Sequence, residues 1–425
     1  MNRITPPHTY SPIEFDYKLP PCTHITLDNG IPLYYVNDCI EPVMHLELVF
    51  PAGLWYEPKT GVAQATASLI KSGTANQSSF QINETFEQYG ATVKAGAGND
   101  WASLSVSCLT KHLDKLLPLL SSLITEAIFP QHEIDIYIQN AKQRLSVQLK
   151  KSDFVANRYI DQYLFGLQHP YGRYTHLEDL DQITRDDLIT YCKQHYSSSQ
   201  CKIFMAGQFN DTDVQLVNQY FGQGKWNETM RNEINHPVVS ASEKKYRIQH
   251  DEKSVQGSIR MISSFPEKTH PDFSPMIMLN TLFGGYFGSR LMSNIREDKG
   301  YTYGIHTYLY NNMHLGAFIL TTEAGKQVCE ACVSEIYKEM DLLKNEKVSD
   351  EELLLVKNYL LGNLLGDLDG AFQIIQRWKN LILNGFTEDR FYNNIHTYKN
   401  ITPNDLQLLA NKYFVSEDFY ELVVT

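Results

Sequence analysis

The chain has 425 residues, more than a single hydrophobic core usually supports, so we expect two or more domains. Hydrophobic residues make up 43% and aromatic residues 12%, which excludes an intrinsically disordered protein. The net charge of −12, without a long Lys/Arg run, argues against binding to nucleic acid or to an anionic membrane surface.

The N-terminal stretch Met1–Tyr10 lacks the apolar core of a secretory signal, and the sequence contains no apolar run of about 18 residues. We therefore expect a cytoplasmic protein. The seven cysteines are an odd number and are scattered, which favours buried thiols over a disulfide framework. Cys329 and Cys332 form a C-x-x-C pair inside a helical pattern. Because no second pair completes a metal site, we expect core packing there.

In the first half, alternating or continuous apolar runs predict strands, and Asp28-Asn29-Gly30 predicts a tight turn before the first of them. The predicted strands, in chain order, are Leu33–Val36, His45–Phe50, Val93–Gly98 and Ala102–Leu109. Helices are expected from near Lys111 and over Glu133–Lys150. In the second half, Tyr303–Tyr310 and Leu315–Thr322 predict another antiparallel pair.

The second half repeats the plan of the first. Ile183–Leu188 returns as Ile401–Leu406, and the same offset of 218 residues carries Glu133 onto Glu351. In each copy a Thr and an Asp three residues later predict a capping box that opens a helix. A terminal strand follows, Cys201–Ala206 in one half and Phe419–Val424 in the other. A unit of about half the chain is too long for a solenoid repeat, so we interpret it as a duplicated domain.

Each half is predicted to be α+β, with an antiparallel sheet covered by helices mostly on one face. The hydrophobic periodicity that predicts helices and strands stops between Gly222 and Lys244. This segment contains Gly222-Gln223-Gly224 and the polar run Asn227–His236. We therefore predict two homologous domains, 1–225 and 226–425. The linker is long enough to let the halves clasp something between them.

A glycine-rich stretch, Phe283–Gly304, is the clearest chemical feature of the second half: FGGYFGSRLMSNIREDKGYTYG. It predicts a loop that enters a helix, which ends at Gly300 and passes into a strand. Arg296 then lies in the last helical turn and Tyr303 near the start of the strand, where both could hold a peptide carbonyl. The alternative is an Arg that contacts helix-end carbonyls and a Tyr that fills a sheet face.

These stretches resemble the insulinase/pitrilysin-type metallopeptidases, particularly the short bacterial two-chain members and the mitochondrial processing peptidases. The likeness covers nearly the whole chain, including the frame of Gly61–Thr74 (GVAQATASLIKSGT) and the pattern from Gly284 to Tyr303. In that family one half carries an inverted H-x-x-E-H motif, in which two His bind zinc and the Glu acts as base. The other half supplies an Arg and a Tyr seven residues apart, which Arg296 and Tyr303 match.

The zinc motif itself is degenerate here. Its three positions hold Gln64, Ala67 and Ser68, and no Glu occurs from Ile134 to Leu177, where the family has its third ligand. Amide, methyl and hydroxyl groups cannot replace two imidazoles and a general base. No pair among the 14 His has H-x-x-E-H or H-E-x-x-H spacing. We predict that this chain binds no metal.

The resemblance implies a zinc-free, Arg/Tyr-bearing subunit of a heterodimeric zinc metalloendopeptidase, inactive alone. Arg296 and Tyr303 would position an extended peptide substrate at the site of a homologous partner, whose intact H-x-x-E-H motif would bind Zn²⁺. Gly284, Gly285 and Gly288 would contribute to substrate binding. The alternative is a binding or assembly protein on the same fold that has no peptidase role. An independent peptidase is disfavoured, since the sequence has no Gly-x-Ser-x-Gly and no evident Cys–His motif.

Overall fold

The structure, a computed structural model, describes residues 15–227 and 234–425. Residues 1–10, to which the prediction about a secretory signal refers, and part of the polar run 227–236 lie outside the described residues. Across the described ranges, no helix combines the length and the apolar character needed to cross a membrane.

The first half is built on a six-stranded sheet with the strand order β1-β2-β6-β3-β5-β4. Its strands are β1 (Thr23–Thr26), β2 (Pro32–Val36), β3 (Val43–Phe50), β4 (Thr92–Ala97), β5 (Ala102–Leu109) and β6 (Lys202–Gly207). Its helices are α1 (Val62–Leu69), α2 (Ser79–Gln88), α3 (Leu113–Thr125), α4 (Gln131–Gln148), α5 (Ser152–Phe165), α6 (Leu177–Asp181), α7 (Arg185–His195) and α8 (Asp211–Phe221).

The second half is built on a five-stranded sheet with the order β7-β11-β8-β10-β9. Its strands are β7 (Lys245–Ile248), β8 (Gln256–Phe265), β9 (Thr302–Asn311), β10 (Gly316–Gly325) and β11 (Tyr420–Val424). Its helices are α9 (Phe273–Asn280), α10 (Cys329–Asn345), α11 (Asp350–Gly366), α12 (Ala371–Leu383), α13 (Asp389–Asn400) and α14 (Pro403–Tyr413). Two π-helical segments, Thr281–Gly285 and Met292–Asp298, flank the glycine-rich turn.

The predicted fold class, two homologous α+β halves, is confirmed. The order β2-β6-β3-β5-β4 in one sheet matches β7-β11-β8-β10-β9 in the other, and β1 is an additional edge strand. The sheets differ from the prediction in one respect, because each contains a parallel pair, β2 with β6 and β7 with β11. These pairs join an early strand of each half to its last strand, a connection long enough for a parallel crossover.

Both predicted capping boxes are present. At the start of α7 the Asp187 amide donates to Thr184 Oγ1 at 3.2 Å, and the Thr184 amide donates to the Asp187 carboxylate at 2.9 Å. At the start of α14 the corresponding distances between Thr402 and Asp405 are 3.3 and 2.9 Å. The repeated sequence therefore forms the same local structure twice, which supports a duplicated domain.

The two halves exchange one helix each. Helix α5 of the first half packs on β8 and β11 of the second sheet, where Ile160 is fully buried beside Ile262 and Leu422. Helix α12 of the second half packs on β2 and β6 of the first sheet. Each sheet thus has its own helices on one face and a helix of the other half on the opposite face. The sequence did not predict this exchange, which explains why the central strands are buried on both faces.

The C-x-x-C pair lies where core packing was expected. Cys329 and Cys332 are both buried on α10 and neither forms a disulfide. Burial raises the pKa of the Cys332 thiol to about 12. A thiol with such a pKa is a poor nucleophile and a poor metal ligand at neutral pH.

Candidate functional site

Helix α1, which carries the degenerate motif, is held at its N-terminus by a buried carboxylate. Gly61 precedes the helix with a φ of +92°, a conformation that favours glycine. Glu57 accepts hydrogen bonds from the amides of Gly61 and Ala63, each at 3.1 Å, and pairs with the Arg173 guanidinium at 3.1 Å. Burial raises the pKa of Glu57, and this effect outweighs the positive charge of Arg173 and the two amide hydrogen bonds, which lower it. These contacts position α1 without the Ser, Thr, Asp or Asn cap that helices usually have.

The three motif positions do not form a metal site. Gln64 is exposed and donates to Ser68 Oγ at 3.4 Å, while Ala67 is fully buried. Tyr137 of α4 lies beside Ser68, and burial raises its pKa more than that contact lowers it. Within residues 15–227 and 234–425, no group of three or more His, Cys, Asp and Glu side chains is placed to hold a metal ion. The side chains present at the motif positions do not fit Zn²⁺, which takes N, S or carboxylate ligands.

Two glycines of the glycine-rich turn, Gly284 and Gly288, permit close packing. Gly284 is buried, and a Cβ there would lie 2.7 Å from Thr307 Cγ2 on β9. A Cβ on Gly288 would lie 2.8 Å from the ring of Tyr286, which folds over it. Gly285 and Gly288 are exposed. The substrate-binding role of Gly284, Gly285 and Gly288 stays a prediction, and the buried position of Gly284 explains its presence without a substrate.

The turn between the π-helical segments is fixed on both sides to α11. On one side the Tyr286 ring packs against Tyr359 with ring centres 4.8 Å apart. On the other side Arg290 donates twice to Glu352, at 2.7 and 2.8 Å. Such a bidentate pair defines both the distance and the orientation of its partners. The turn is therefore held in one position relative to the body of the second half.

Arg296 lies near the end of the second π-helical segment, which Gly300 follows with a φ of +65°. The predicted helix is thus π-helical in this turn. The π-helix is rare in proteins overall, and where it occurs it is often at a functional site. The Arg296 guanidinium lies over the ring of Phe287, with Cζ 4.6 Å from the ring centre. Among the described residues it makes no hydrogen bond or ion pair. It therefore does not bond the helix-end carbonyls, as the alternative interpretation required.

Tyr303 lies near the start of β9, at the edge of the second sheet, and is 87% exposed. It does not fill a sheet face. It lines a cleft of about 470 Å³ between the halves, whose walls include Lys151 and Asp153 of the first half and Asp251 and Glu323 of the second. In the described part of the chain no hydrogen bond or ring contact joins Arg296 to Tyr303. Tyr303 is exposed and Arg296 is half-buried, and neither side chain has a hydrogen-bond partner among the described residues.

A second cluster joins the two halves around Trp55. The Trp55 ring stacks on His314 at 3.8 Å, and His236 Nε2 lies 2.9 Å from the Trp55 carbonyl oxygen. His169 is buried beside them, with its ring centre 5.6 Å from that of Trp55. Three histidines from the first half, the linker and the second half therefore meet at one junction. Their spacing along the sequence gave no signal of this.

Sequence reasoning missed two further features of the site, the support of α1 by Glu57 and Arg173, and the contact of Phe287 with Arg296. Glu57 precedes α1 by five positions and has no cap pattern. Phe287 did carry a signal, since it is an aromatic residue inside a glycine-rich turn, where no core is expected.

Two models of one peptidase family match this chain. A family model described as Insulinase (Peptidase family M16) matches residues 34–169, and one described as Peptidase M16 inactive domain matches residues 182–360. The chain belongs to the insulinase (M16) peptidase family. The predicted family is thereby confirmed, and this member lacks the zinc-binding side chains of the inverted motif.

Curated members of the family match most of the chain. The "Uncharacterized zinc protease YmxG" of Bacillus subtilis is 23% identical over 85% of this chain and 88% of that protein. The "Mitochondrial-processing peptidase subunit alpha" of Rattus norvegicus is 21% identical over 91% of this chain and 79% of that protein. A crystal structure described as a peptidase M16 inactive domain from Pseudomonas fluorescens superposes with a TM-score of 0.84 at 20% identity, covering 95% and 98% of the two chains. That similarity confirms the fold.

Proposed function

We propose that this chain is the zinc-free subunit of a heterodimeric zinc metalloendopeptidase, which binds extended peptides and supplies Arg296 and Tyr303 to its partner's zinc site. One contrast carries the proposal. At the motif positions of α1 the side chains cannot bind zinc, whereas Arg296 and Tyr303 are accessible and have no hydrogen-bond partner among the described residues.

The chemistry of the two side chains fits this role. A guanidinium presents several N–H donors in one plane and a phenol presents one O–H, so both can donate to a peptide carbonyl oxygen. As that oxygen gains negative charge during hydrolysis, the hydrogen bond from each donor becomes stronger. In enzymes studied by mutation, this stabilises the transition state by about 3 kcal/mol per donor. The partner would supply the zinc-activated water and its general base.

The position of the cleft supports an extended substrate. The cleft beside Tyr303 is open and lies between the halves, at the edge strand β9. An extended peptide can add to such an edge through main-chain hydrogen bonds. A folded domain does not fit into a cleft of about 470 Å³.

The comparisons support a two-chain enzyme in one respect. The name of the rat relative describes it as the alpha subunit of a processing peptidase, and the match covers 91% of this chain and 79% of that protein. We accordingly propose that the partner is a homologous chain with an intact H-x-x-E-H motif. We also propose that the chain divides into domains 1–225 and 226–425, and that it acts in the cytoplasm.

The test is peptide cleavage by three samples: the purified chain, a homologous partner with an intact motif from the same genome, and their mixture. We expect cleavage by the mixture alone, inhibited by a zinc chelator. Zinc-dependent cleavage by the lone chain would refute the proposal, as would a mixture no faster than the partner. Gln64→Ala and Ser68→Ala in this chain serve as controls, since neither position is assigned a part in the reaction.

A further inference from the structure

Phe287 presents an aromatic ring to solvent at the centre of the glycine-rich turn. The residue is 60% exposed and lies between Tyr286 and Gly288. Its ring is therefore not part of the core of the second half. Its one ring contact in the described part of the chain is with the guanidinium of Arg296, at 4.6 Å.

The backbone that carries this ring is held in place by the neighbouring residues. Tyr286 packs on Tyr359, Arg290 pairs with Glu352, and the Ser289 amide donates to the Tyr286 carbonyl at 3.1 Å. Phe287 lies between these anchored positions. Its backbone is thus constrained by α11, even though its side chain is exposed.

Stacking on a ring uses the face of a guanidinium and leaves its N–H groups, which point outward in the guanidinium plane, free to donate. A solvent-accessible arginine that is not stacked has many rotamers and must lose that freedom when it binds a ligand. A ring fixed beneath it restricts those rotamers before binding. This restriction matters for Arg296, because no carboxylate in the described residues forms an ion pair that would orient its guanidinium.

We propose that Phe287 is a positioning residue, which holds the Arg296 guanidinium by stacking so that its N–H edge can bind a carbonyl oxygen of an extended peptide. This inference rests on the proposed function, since it assigns Phe287 a part in the same site. It differs from a packing role, because the ring is 60% exposed and lies outside the hydrophobic core of the second half.

The first test measures binding of fluorescein-labelled, reduced and carboxymethylated α-lactalbumin, a permanently unfolded polypeptide, by anisotropy with the full-length chain. Phe287→Ala should weaken binding about 2- to 5-fold, the size expected from loss of an exposed cation–π contact. Phe287→Tyr should bind like the wild type, because a phenol ring stacks equally well. Phe80→Ala, which removes another exposed phenylalanine, is the matched control and should have no effect.

A double-mutant cycle separates positioning from direct contact. Arg296→Ala should weaken binding about 10-fold or more, the size of a lost charged hydrogen bond. Adding Phe287→Ala to Arg296→Ala should then change nothing further, because the ring acts through the guanidinium. Additive losses, or an unchanged affinity in Phe287→Ala, would overturn the inference.

A second readout needs no ligand and keeps the inference distinct from the proposed function. If the wild-type chain does not bind the unfolded polypeptide, the peptide-binding function fails, yet the stacking can still be measured. Phenylglyoxal should modify Arg296 faster in Phe287→Ala than in the wild type or Phe287→Tyr, as followed by mass spectrometry. The exposed Arg144 on α4 should react at one rate in all three. Equal rates at Arg296 would show that the ring does not hold the guanidinium.

Discussion

The exchange of α5 and α12 predicts that the two halves unfold together, and Ile160→Ala tests this. Ile160 has no exposed surface and packs, within α5, against strands of the other half. Truncating a buried isoleucine to alanine costs about 2–5 kcal/mol, since apolar contacts are lost and a cavity remains. We take about 3 kcal/mol as the central value for this site.

The shift in melting temperature depends on how much of the chain unfolds at once. At about 2.1 cal/mol/K per residue, unfolding of all 425 residues has an entropy of about 0.9 kcal/mol/K, so a loss of about 3 kcal/mol lowers Tm by about 3 °C. If residues 226–425 unfolded alone, the same loss would lower Tm by about 7 °C. The size of the shift therefore reports whether the halves are coupled.

Differential scanning calorimetry provides the measurement. We expect one transition in the wild type and one transition, about 3 °C lower, in Ile160→Ala. Ile136→Ala on α4 is the control, because that isoleucine is 52% exposed and its loss should be nearly neutral. Two separated transitions, of which the mutation moves only one, would refute the coupling of the halves through the exchanged helices.

Two further predictions follow from buried titratable groups. Burial, with smaller effects of His236, Arg173 and His314, lowers the pKa of His169 to about 4. Because an unfolded histidine titrates near about 6.5, this contribution to stability is complete above that pH and is lost as the pH falls toward about 4. In His169→Gln the urea midpoint should therefore depend less on pH over this range than it does in the wild type. The same pH dependence in both proteins would contradict the lowered pKa of His169. The buried Cys332 thiol, whose pKa burial raises to about 12, should resist iodoacetamide in the native chain and react in urea. Equal labelling rates in both states would contradict its burial.

Much of the fold could be predicted from the sequence, because its signals are local. The paired Thr and Asp at positions 184 and 187 return at 402 and 405, and each pair opens a helix where a capping box was expected. The strand pairs likewise match alternation in the sequence, with β4 and β5 within a residue of their predicted ends. The exchange of α5 and α12 could not be predicted, since an amphipathic helix does not specify which of two similar sheets it covers.

The candidate site was predictable to a smaller extent. The positions of Gln64, Ala67, Ser68, Arg296 and Tyr303 came from their likeness to a family motif. The exposed Tyr303 and the half-buried Arg296 both have side chains without a hydrogen-bond partner in the described residues, which agrees with a ligand-binding role. Their roles stay predictions. The contacts that support the site were not predictable, because the partners are far apart in sequence.

Glu57 with Arg173 and Arg290 with Glu352 illustrate this limit. These partners are separated by 116 and 62 positions, so no motif spacing indicated that they would meet. Phe287 and Arg296 are closer in sequence, but Phe287 lies in the turn before the second π-helical segment, so regular helical spacing would not have indicated their contact.

The central claim is that this chain contributes substrate-binding groups to a zinc site in another chain. The most direct measurement is kcat/KM of the mixed complex when Arg296→Ala is introduced into this chain alone. We predict a fall of about 100-fold, comparable to loss of one oxyanion donor, while Lys193→Ala, which removes an exposed charge on α7, leaves kcat/KM unchanged. A complex with Arg296→Ala that cleaves peptides as fast as the wild type would contradict the account.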